Sequence, residues 1–352
     1  MTRRSRFLRT VAAVGTAAAM LALAACGSGS SEGGADTATD TATDSSGGSF
    51  EPVTIEHALG TTTIEEQPER VATWGWGSAD AAIALGVVPV AMQATAYAGD
   101  ENGMTPWNKE AIEAAGAEMP AMISEAEEPP YEEFIKAKPD LILATYSGLT
   151  QAQYDKLSKI APVVAYPDQP WATPWREVIT TAGEALGKTD EAKQVLADID
   201  QAVAEAAKAH PEFQGKTIAA VADFGSFYVY RSADPRVQFL EDLGFEVAPS
   251  VEKLDTEEAS FYYTLSYENV DKLESDVLLS YADSPKTQKA FLNSASTKTM
   301  PQHDAGTIAE ATGEELVASV SPPTALSLTW GLDAYVDLLS KAAKKADANS
   351  AS

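Results

Sequence analysis

YEEFIKAKPDLILAT, residues 131–145, places a helical pattern directly before a short apolar run. Pro139 cannot continue a helix, so the helix must end before it, and Leu141 to Ala144 then form a buried strand. Residues 151–167, QAQYDKLSKIAPVVAYP, repeat the pattern with a second helix and a strand that ends at Tyr166. Short strands that alternate with helices predict βα units and a largely parallel sheet.

The segments before this stretch continue the alternation. Residues 53–68, VTIEHALGTTTIEEQP, predict a β-hairpin, because apolar and polar residues alternate around a glycine turn. Residues 70–87, RVATWGWGSADAAIALGV, predict a buried strand, a glycine-containing loop and a helix with Ser78 as its N-cap. Residues 88–94, VPVAMQA, predict the next strand.

A long helical pattern then interrupts the alternation. It runs from Pro174 to about His210, and Gly187 is the position at which it would bend or break. Strands and helices resume at KTIAAVADF, residues 216–224. The sequence therefore predicts an α/β fold of two Rossmann-like lobes joined by one long α-helix, with a ligand cleft between the lobes. The predicted boundaries are 50–172 for the first lobe, 173–212 for the interlobe helix and 213–345 for the second lobe. A single stiff helix predicts a cleft that closes by only a small angle.

The N-terminus has the features of an export signal. Residues 1–25 combine four arginines with a short apolar run, which is typical of a secretory signal peptide. The segment LAAC, ending at Cys26, resembles the bacterial lipobox, in which cleavage precedes the cysteine and the thiol receives a lipid. An ordinary signal peptide cleaved after Ala25 is the alternative, but it would leave an odd free thiol. Residues 26–49 are then the lipidated cysteine and a disordered tether of small polar residues.

Composition excludes several classes of function. The net charge is −27, and nucleic-acid binding needs a basic face, so no nucleic-acid partner is expected. The single cysteine excludes a disulfide framework. His57, His210 and His303 are the only histidines and lie far apart in the sequence, which disfavours a bare metal site. The sequence shows no nucleophile-elbow, zinc-protease or P-loop motif, which indicates binding rather than catalysis.

Five segments together resemble the iron-siderophore substrate-binding proteins of ABC importers, which belong to the helical-backbone class of solute-binding proteins. The segments are TTTIEEQPERVATWGWGSADAAIALGVVPV, YEEFIKAKPDLIL, DKLSKIAPVVAY, DPRVQFLEDLGF and SPPTALSLTWGLDAYVDLL. Their order and spacing carry the resemblance, which runs from about residue 53 to residue 342.

The resemblance implies a protein without a cofactor that captures a ferric siderophore and delivers it to a permease dimer and its ATPase. It also implies a monomer on the extracellular face of the cell membrane in a Gram-positive envelope. The lipid on Cys26 would be the only attachment to the membrane.

Aromatic residues after the predicted strands are the candidate ligand contacts. Ligands of open α/β sheets bind beyond the carboxyl ends of the strands. A chelated ferric ion presents a bulky, partly apolar surface with exposed oxygens, and its chelator already fills the metal's coordination sphere. It therefore needs aromatic walls and a few donors, and no direct metal ligand. The predicted ligand-binding residues are Trp74, Trp76, Tyr146, Trp171, Tyr228, Tyr230, Arg231, Arg236, Tyr262 and Tyr263. Three of them, Tyr228, Tyr230 and Arg231, are expected in the turn after the first strand of the second lobe, and Trp330 is expected to pack.

One departure from the family pattern bears on the ligand. Many hydroxamate-binding relatives carry an arginine shortly before the helix that begins near residue 131, whereas residues 124–133 here read SEAEEPPYEE and contain no base. Arg231 and Arg236 would then supply the cationic contact from the second lobe. A neutral or cationic ferric hydroxamate fits this better than a highly anionic tris-catecholate, which needs several cations.

Glu132 and Glu268 occupy equivalent places in the two lobes, in YEEFIKAKPD and SYENVDKLES. The resemblance implies that one glutamate per lobe docks into arginine pockets on the two permease subunits. The alternative is that both are acids of a first helical turn, where the helix dipole favours a negative charge.

Four other functions remain open. The chain could bind heme through a tyrosine or histidine axial ligand, bind cobalamin, bind a free metal, or be an exported lipoprotein enzyme. A visible spectrum of the protein purified from its host would separate the binding alternatives, since heme, corrinoid and ferric hydroxamate bands differ.

Overall fold

The computed structural model describes residues 50–256 and 261–351. The predicted signal peptide, Cys26 and the tether lie outside these residues. Within the described residues, no helix is both long enough and apolar enough to cross a membrane.

The first lobe is a parallel sheet preceded by a hairpin. The hairpin pairs β1 (Val53–His57) with β2 (Gly60–Ile64). The sheet strands are β3 (Val71–Thr73), β4 (Ala91–Gln93), β5 (Ala121–Ile123), β6 (Leu141–Leu143) and β7 (Val163–Val164), in the order β5-β4-β3-β6-β7. The helices between them are α1 (Ser78–Ala84), α2 (Pro106–Ala114), α3 (Tyr131–Ala137) and α4 (Gln151–Leu157). The predicted hairpin and βα units are confirmed.

The junction between α3 and β6 aligns the two central strands. Lys138 ends α3 in the left-handed region, with φ of 51°. The Asp140 carboxylate accepts the backbone N–H groups of Glu69 and Arg70, at 2.8 and 2.9 Å. The Arg70 guanidinium donates in return to the carbonyl of Ala137, at 2.6 Å. These bonds fix the start of β6 beside the start of β3, because Arg70 directly precedes β3.

The connection between the lobes consists of two helices, α5 (Trp175–Ala185) and α6 (Thr189–Ala209), so the prediction of one long helix is corrected at this point. Gly187 adopts φ of +64°, and an added Cβ there would lie 2.7 Å from the Phe50 ring. The break at Gly187 allows α5 and α6 to pack on different helices. α5 packs on α1, and α6 packs on α7 (Pro235–Asp242) and on the C-terminal helix α12 (Ser327–Ser350). α5 and α6 also pack against each other.

The second lobe is a mixed sheet. Its strands are β8 (Thr217–Asp223), β9 (Phe227–Tyr230), β10 (Glu246–Val247), β11 (Tyr262–Leu265), β12 (Val277–Ala282) and β13 (Ile308–Thr312). The order is β11-β9-β8-β12-β13, and β10 pairs with the start of β8. The pairs β8–β9 and β9–β11 are antiparallel, and the other pairs are parallel. The helices are α7 (Pro235–Asp242), α8 (Pro249–Lys253), α9 (Pro285–Asn293), α10 (Pro301–Ala305), α11 (Glu314–Val320) and α12 (Ser327–Ser350).

Three local expectations differ from the structure. Tyr228 and Tyr230 lie on strand β9 rather than in a turn, because the chain reverses after β8 and pairs back along it. The N-cap of α1 is Gly77, and the hydroxyl of buried Ser78 instead lies 3.1 Å from the Thr145 hydroxyl. Glu268 lies in a turn before a single 3₁₀ turn, Val270–Lys272, and does not open an α-helix.

Candidate ligand-binding site

The loops after β3 and β6 lie together at the carboxyl edge of the first sheet. The backbone N–H of Trp76 donates to the carbonyl of Tyr146 at 3.0 Å. Gly75, with φ of +86°, makes this approach possible, because a Cβ there would lie 2.2 Å from the same carbonyl oxygen. The two side chains are partly buried and both line a pocket that Pro235 and Pro322 of the second lobe also line. Trp76 and Tyr146 therefore belong to the cleft between the lobes.

Trp171 is held at the opening of this cleft. Its side chain is 51% exposed, and its ring meets the Tyr146 ring edge-on with centroids 6.0 Å apart. Its φ of 58° is unfavourable for a residue with a side chain, and the surrounding contacts maintain it. The backbone N–H of Trp171 donates to the carbonyl of Ser147 at 3.1 Å. An added Cβ at Gly148 would lie 2.2 Å from the indole nitrogen of Trp171. Such a strained, exposed aromatic residue is typical of a binding site.

The second lobe presents an aromatic surface from the β8–β9 turn and from β9 and β11. The Tyr228 and Tyr262 rings are perpendicular with centroids 5.2 Å apart, and the Phe224 ring lies 6.5 Å from Tyr228. Phe224 and Tyr262 are 53% and 38% exposed. The sequence interpretation missed Phe224, although its position directly after β8 is the kind of position that identified the other aromatics.

Arg236 lies beside this surface in a fixed orientation. Its guanidinium carbon is 4.1 Å from the centroid of the Tyr230 ring. The buried carboxylate of Asp234 accepts from Nε at 2.7 Å and from Nη2 at 2.9 Å, and Nη1 donates to Ser321 at 3.1 Å. Burial opposes the charge on Arg236, but the Asp234 carboxylate outweighs it and raises the pKa of the guanidinium. Arg236 therefore stays charged, and the adjacent Asp234 carboxylate offsets its charge.

Arg236 of the second lobe also lies close to Tyr146 of the first lobe. Burial raises the pKa of Tyr146 from the first lobe, and the nearby charge of Arg236 from the second lobe opposes this rise. Burial raises the pKa of Tyr230 as well, again opposed by Arg236. Both phenols therefore remain neutral at physiological pH and can donate hydrogen bonds to ligand oxygens.

Direct hydrogen bonds also join the lobes. The Trp76 indole donates to the carbonyl of Pro322 at 3.2 Å, and the Tyr97 hydroxyl donates to Asp283 at 3.2 Å. Asp80 on α1 accepts from the Thr324 hydroxyl and from the Trp107 indole. Burial raises the pKa of Asp80, and these hydrogen bonds oppose the rise. On the first-lobe side these contacts come from two loops and from α1. On the second-lobe side they come from Asp283, directly after β12, and from the segment between α11 and α12. The bond from Trp107 to Asp80 lies within the first lobe.

The predicted ligand residues divide into three groups. Trp76, Tyr146 and Trp171 line pockets of the cleft, and Arg236 lies near enough to Tyr146 to affect its pKa. Tyr230 is buried against Arg236, and Tyr228 and Tyr262 form the partly exposed aromatic surface on β9 and β11. Two are corrected as core residues. Trp74 is 4% exposed and packs against Phe134, and Tyr263 is fully buried with its hydroxyl on the carbonyl of Val251. Arg231 follows β9 and forms an ion pair with Asp255, with 2.7 Å between Nε and Oδ2.

The two predicted docking residues are exposed. Glu132 lies in the first turn of α3, and Glu268 lies in the turn after β11. Each has an exposed apolar neighbour, since Ile135 is 52% and Tyr267 is 43% exposed.

Comparison with known proteins places the chain in a family. The profile described as "periplasmic binding protein" matches residues 71–303. The "probable siderophore-binding lipoprotein YfiY" of Bacillus subtilis is 28% identical over 254 residues, which are 68% of this chain and 73% of that protein. The "ferric enterobactin-binding periplasmic protein FepB" of Escherichia coli O6:H1 is 29% identical over 208 residues, which are 56% of this chain and 62% of that protein.

Among solved structures, PiaA of Streptococcus pneumoniae TIGR4 in complex with ferrichrome aligns with a TM-score of 0.74 and 34% identity, over 83% of this chain and 99% of that one. The fold class predicted from the sequence is confirmed by this likeness. The family is one of binding proteins, which confirms the prediction of binding rather than catalysis. Because the profile spans more than half of its 352 residues, the chain belongs to the periplasmic binding protein family.

Proposed function

We propose that this protein captures a ferric hydroxamate siderophore in the cleft between its lobes and delivers it to an ABC importer. The aromatic cleft around one charge-balanced arginine is the observation that carries the proposal. Within the described residues, no group of three or more His, Cys, Asp or Glu side chains could hold a metal ion directly. A cleft of this chemistry suits iron that arrives already chelated. Similarity to proteins named for siderophore binding supports the same conclusion.

The charge of the site favours the hydroxamate class. Hydroxamate groups neutralise a ferric ion, so a ferric trihydroxamate is uncharged apart from its arms, whereas a tris-catecholate is strongly anionic. The main cleft cation, Arg236, is already balanced by Asp234, and the chain as a whole has a net charge of −27. A highly anionic ligand would therefore be repelled.

Arg236 can still contact the ligand. A guanidinium carries five N–H donors, and Asp234 and Ser321 account for three of them here. The remaining donors, on the terminal nitrogens, can bind hydroxamate or carbonyl oxygens. Trp76, Trp171 and the β9–β11 tyrosines then provide the apolar walls.

Ligand binding gives the direct test. We expect ferrichrome to quench the tryptophan fluorescence of the protein, because Trp76 and Trp171 lie in the cleft. Trp76→Ala and Tyr230→Ala should each weaken ferrichrome binding by roughly 1–3 kcal/mol. Trp74→Phe is the matched control, because Trp74 lies in the core and should leave the affinity unchanged. Quenching by heme or cobalamin without quenching by ferrichrome would assign the cleft to one of those ligands instead.

We also propose a lipid anchor on the extracellular face of the cell membrane. The lipobox-like segment ending at Cys26 supports the anchor, and the name of the YfiY relative includes the word lipoprotein. We expect Cys26→Ala to release the protein into the culture medium, measured by immunoblotting of membrane and medium fractions. Ser28→Ala, in the adjacent tether, should stay in the membrane fraction. Retention of Cys26→Ala at the wild-type level would contradict the anchor.

Delivery is proposed to occur through Glu132 and Glu268, with the protein acting as a monomer on a permease dimer that its ATPase powers. Each exposed glutamate lies beside an exposed apolar side chain, Ile135 in the first lobe and Tyr267 in the second. Ile135 follows Glu132 by three positions on α3, so the two side chains share a helix face. Apolar contacts together with a charged residue are the composition expected of a protein interface.

A further inference from the structure

A pocket in the first lobe adjoins the cleft, and its polar residues Thr105, Asn108 and Glu125 take no part in the contacts described above. Its walls include Trp76, Asp80, Thr105, Asn108, Glu125 and Trp171, and we call it the α2 pocket because Thr105 is the N-cap of α2. Its volume is about 140 Å³, close to the ~150 Å³ that accommodates a benzene-sized group. It can therefore hold one arm of a siderophore but not the ferric centre. Trp76 and Trp171 connect it to the cleft.

Two buried polar atoms of this pocket lack partners within the described residues. Thr105 and Asn108 are each 3% exposed, and neither the Thr105 hydroxyl nor Asn108 Oδ1 has a hydrogen-bond partner there. A threonine N-cap usually accepts from the first turn of its helix, but Thr105 makes no such bond. An unpaired buried polar group is costly, so both atoms are expected to meet a partner that enters the pocket.

The orientation of Asn108 determines which kind of partner this is. Its Nδ2 donates to the Asp80 carboxylate at 3.2 Å, so the unpaired Oδ1 is an acceptor. An acceptor needs a donor on the ligand, and the Thr105 hydroxyl can accept from the same group. The Asp80 and Glu125 carboxylates also line the pocket, and none of the lining residues is basic. The α2 dipole contributes only roughly +0.5 charge, which is less than the charge of the exposed Glu125 carboxylate.

We propose that the α2 pocket binds the ammonium-bearing arm of a cationic hydroxamate siderophore, and this inference rests on the proposed function. The arm passes between Trp76 and Trp171, and its N–H groups donate to Asn108 Oδ1 and the Thr105 hydroxyl. Glu125, 2.7 Å from the N–H of Ala96, adds a negative charge at the pocket wall. The ferric centre stays in the cleft, and the arm sets the preference among hydroxamates.

The test compares ferric complexes that differ only in the arm. Ferrioxamine B ends in a primary ammonium, and its N-acetyl derivative ends in a neutral amide. We expect wild-type protein to bind ferrioxamine B at least about tenfold more tightly than the acetyl derivative, as measured by fluorescence titration. A hydrogen bond to a charged group is strong enough to change a dissociation constant about tenfold or more. Thr105→Val should remove most of this difference, chiefly by weakening the binding of ferrioxamine B.

Two further variants complete the design. Thr73→Val is the matched control, since Thr73 also has a buried hydroxyl without a partner among the described residues but does not line the pocket. Glu125→Gln, at an exposed position, should reduce the affinity difference between ferrioxamine B and its acetyl derivative a few-fold in low salt and less in high salt. Asn108 is left unchanged because it also donates to Asp80.

The outcomes separate this inference from the proposed function. Equal wild-type affinity for the two complexes, or a preference that Thr105→Val leaves intact, would overturn the α2 pocket and leave the function standing. Failure of wild-type protein to bind ferrichrome and both ferrioxamines would overturn the function and this inference together.

Discussion

Asp234→Ala is expected to lower the free energy of unfolding by about 4–5 kcal/mol. Asp234 is fully buried and holds the Arg236 guanidinium through two hydrogen bonds. Removing one partner of a buried ion pair costs roughly 3–5 kcal/mol, because the other charge stays behind without compensation. The lower part of this range applies, since the Arg236 side chain keeps 20% of its surface exposed. Loss of the N-cap bond from the Arg236 N–H to Asp234 adds about 1 kcal/mol.

Urea unfolding of three variants checks this expectation. Asp242→Ala is the control, because Asp242 pairs with Arg176 at the surface, where both side chains are at least 40% exposed, and this loss should cost under about 1 kcal/mol. The double variant Asp234→Ala, Arg236→Leu should recover part of the stability, since it removes the stranded charge. An Asp234→Ala protein as stable as Asp242→Ala would mean that solvent already screens the pair.

The parts of the fold that the sequence predicted depend on local signals. Pro139 ends α3 and the apolar run after it can only be a strand, so the α3–β6 unit follows from neighbouring residues. The break at Gly187 is only suggested by the sequence, because a glycine inside a helical pattern can be accommodated or can end the helix. The contact with Phe50, far away in the sequence, is part of what distinguishes the two cases.

The candidate site was predicted less completely, for two physical reasons. Adjacent residues of a strand point to opposite faces, so Tyr262 is exposed and Tyr263 is buried, although both were predicted as ligand contacts. A strand prediction for this segment would have assigned only one of the two tyrosines to the exposed face. The pairing of Asp80 with Thr324 joins residues 244 positions apart, and no local pattern indicates it. The α2 pocket was missed because its unpaired atoms are visible only once their neighbours are placed.

Uptake through the importer is expected to be almost abolished in the double variant Glu132→Ala, Glu268→Ala, whereas its affinity for ferrichrome should be unchanged. Both glutamates are exposed and neither lines the cleft, so ligand contacts stay intact. At a permease surface each carboxylate would be paired and desolvated. Truncating one partner of such an interfacial pair costs roughly 2–5 kcal/mol when it is buried and little when it stays wet. Two such losses together would prevent productive docking at ordinary concentrations.

Radiolabelled iron uptake and fluorescence titration, measured on the same variants, separate docking from binding. Asp190→Ala with Glu252→Ala is the matched control, because both are exposed acids in the first turns of other helices, α6 and α8. This control removes the same total charge, so a loss of uptake confined to Glu132 and Glu268 cannot come from a change in net charge. Charge reversal at both glutamates to arginine should impair uptake further, since it would place like charges together at the interface.

A loss of uptake is easier to assign to docking at Glu268 than at Glu132. Glu132 lies in the first turn of α3, where an acid also interacts favourably with the helix dipole, so its removal can cost about 0.3–1 kcal/mol of stability as well. Glu268 lies in a turn without an α-helix behind it, so dipole stabilisation does not explain an acid there. Glu268→Ala alone should therefore reduce uptake without lowering the midpoint of urea unfolding. Normal uptake in this single variant and in the double variant would assign permease docking to other residues.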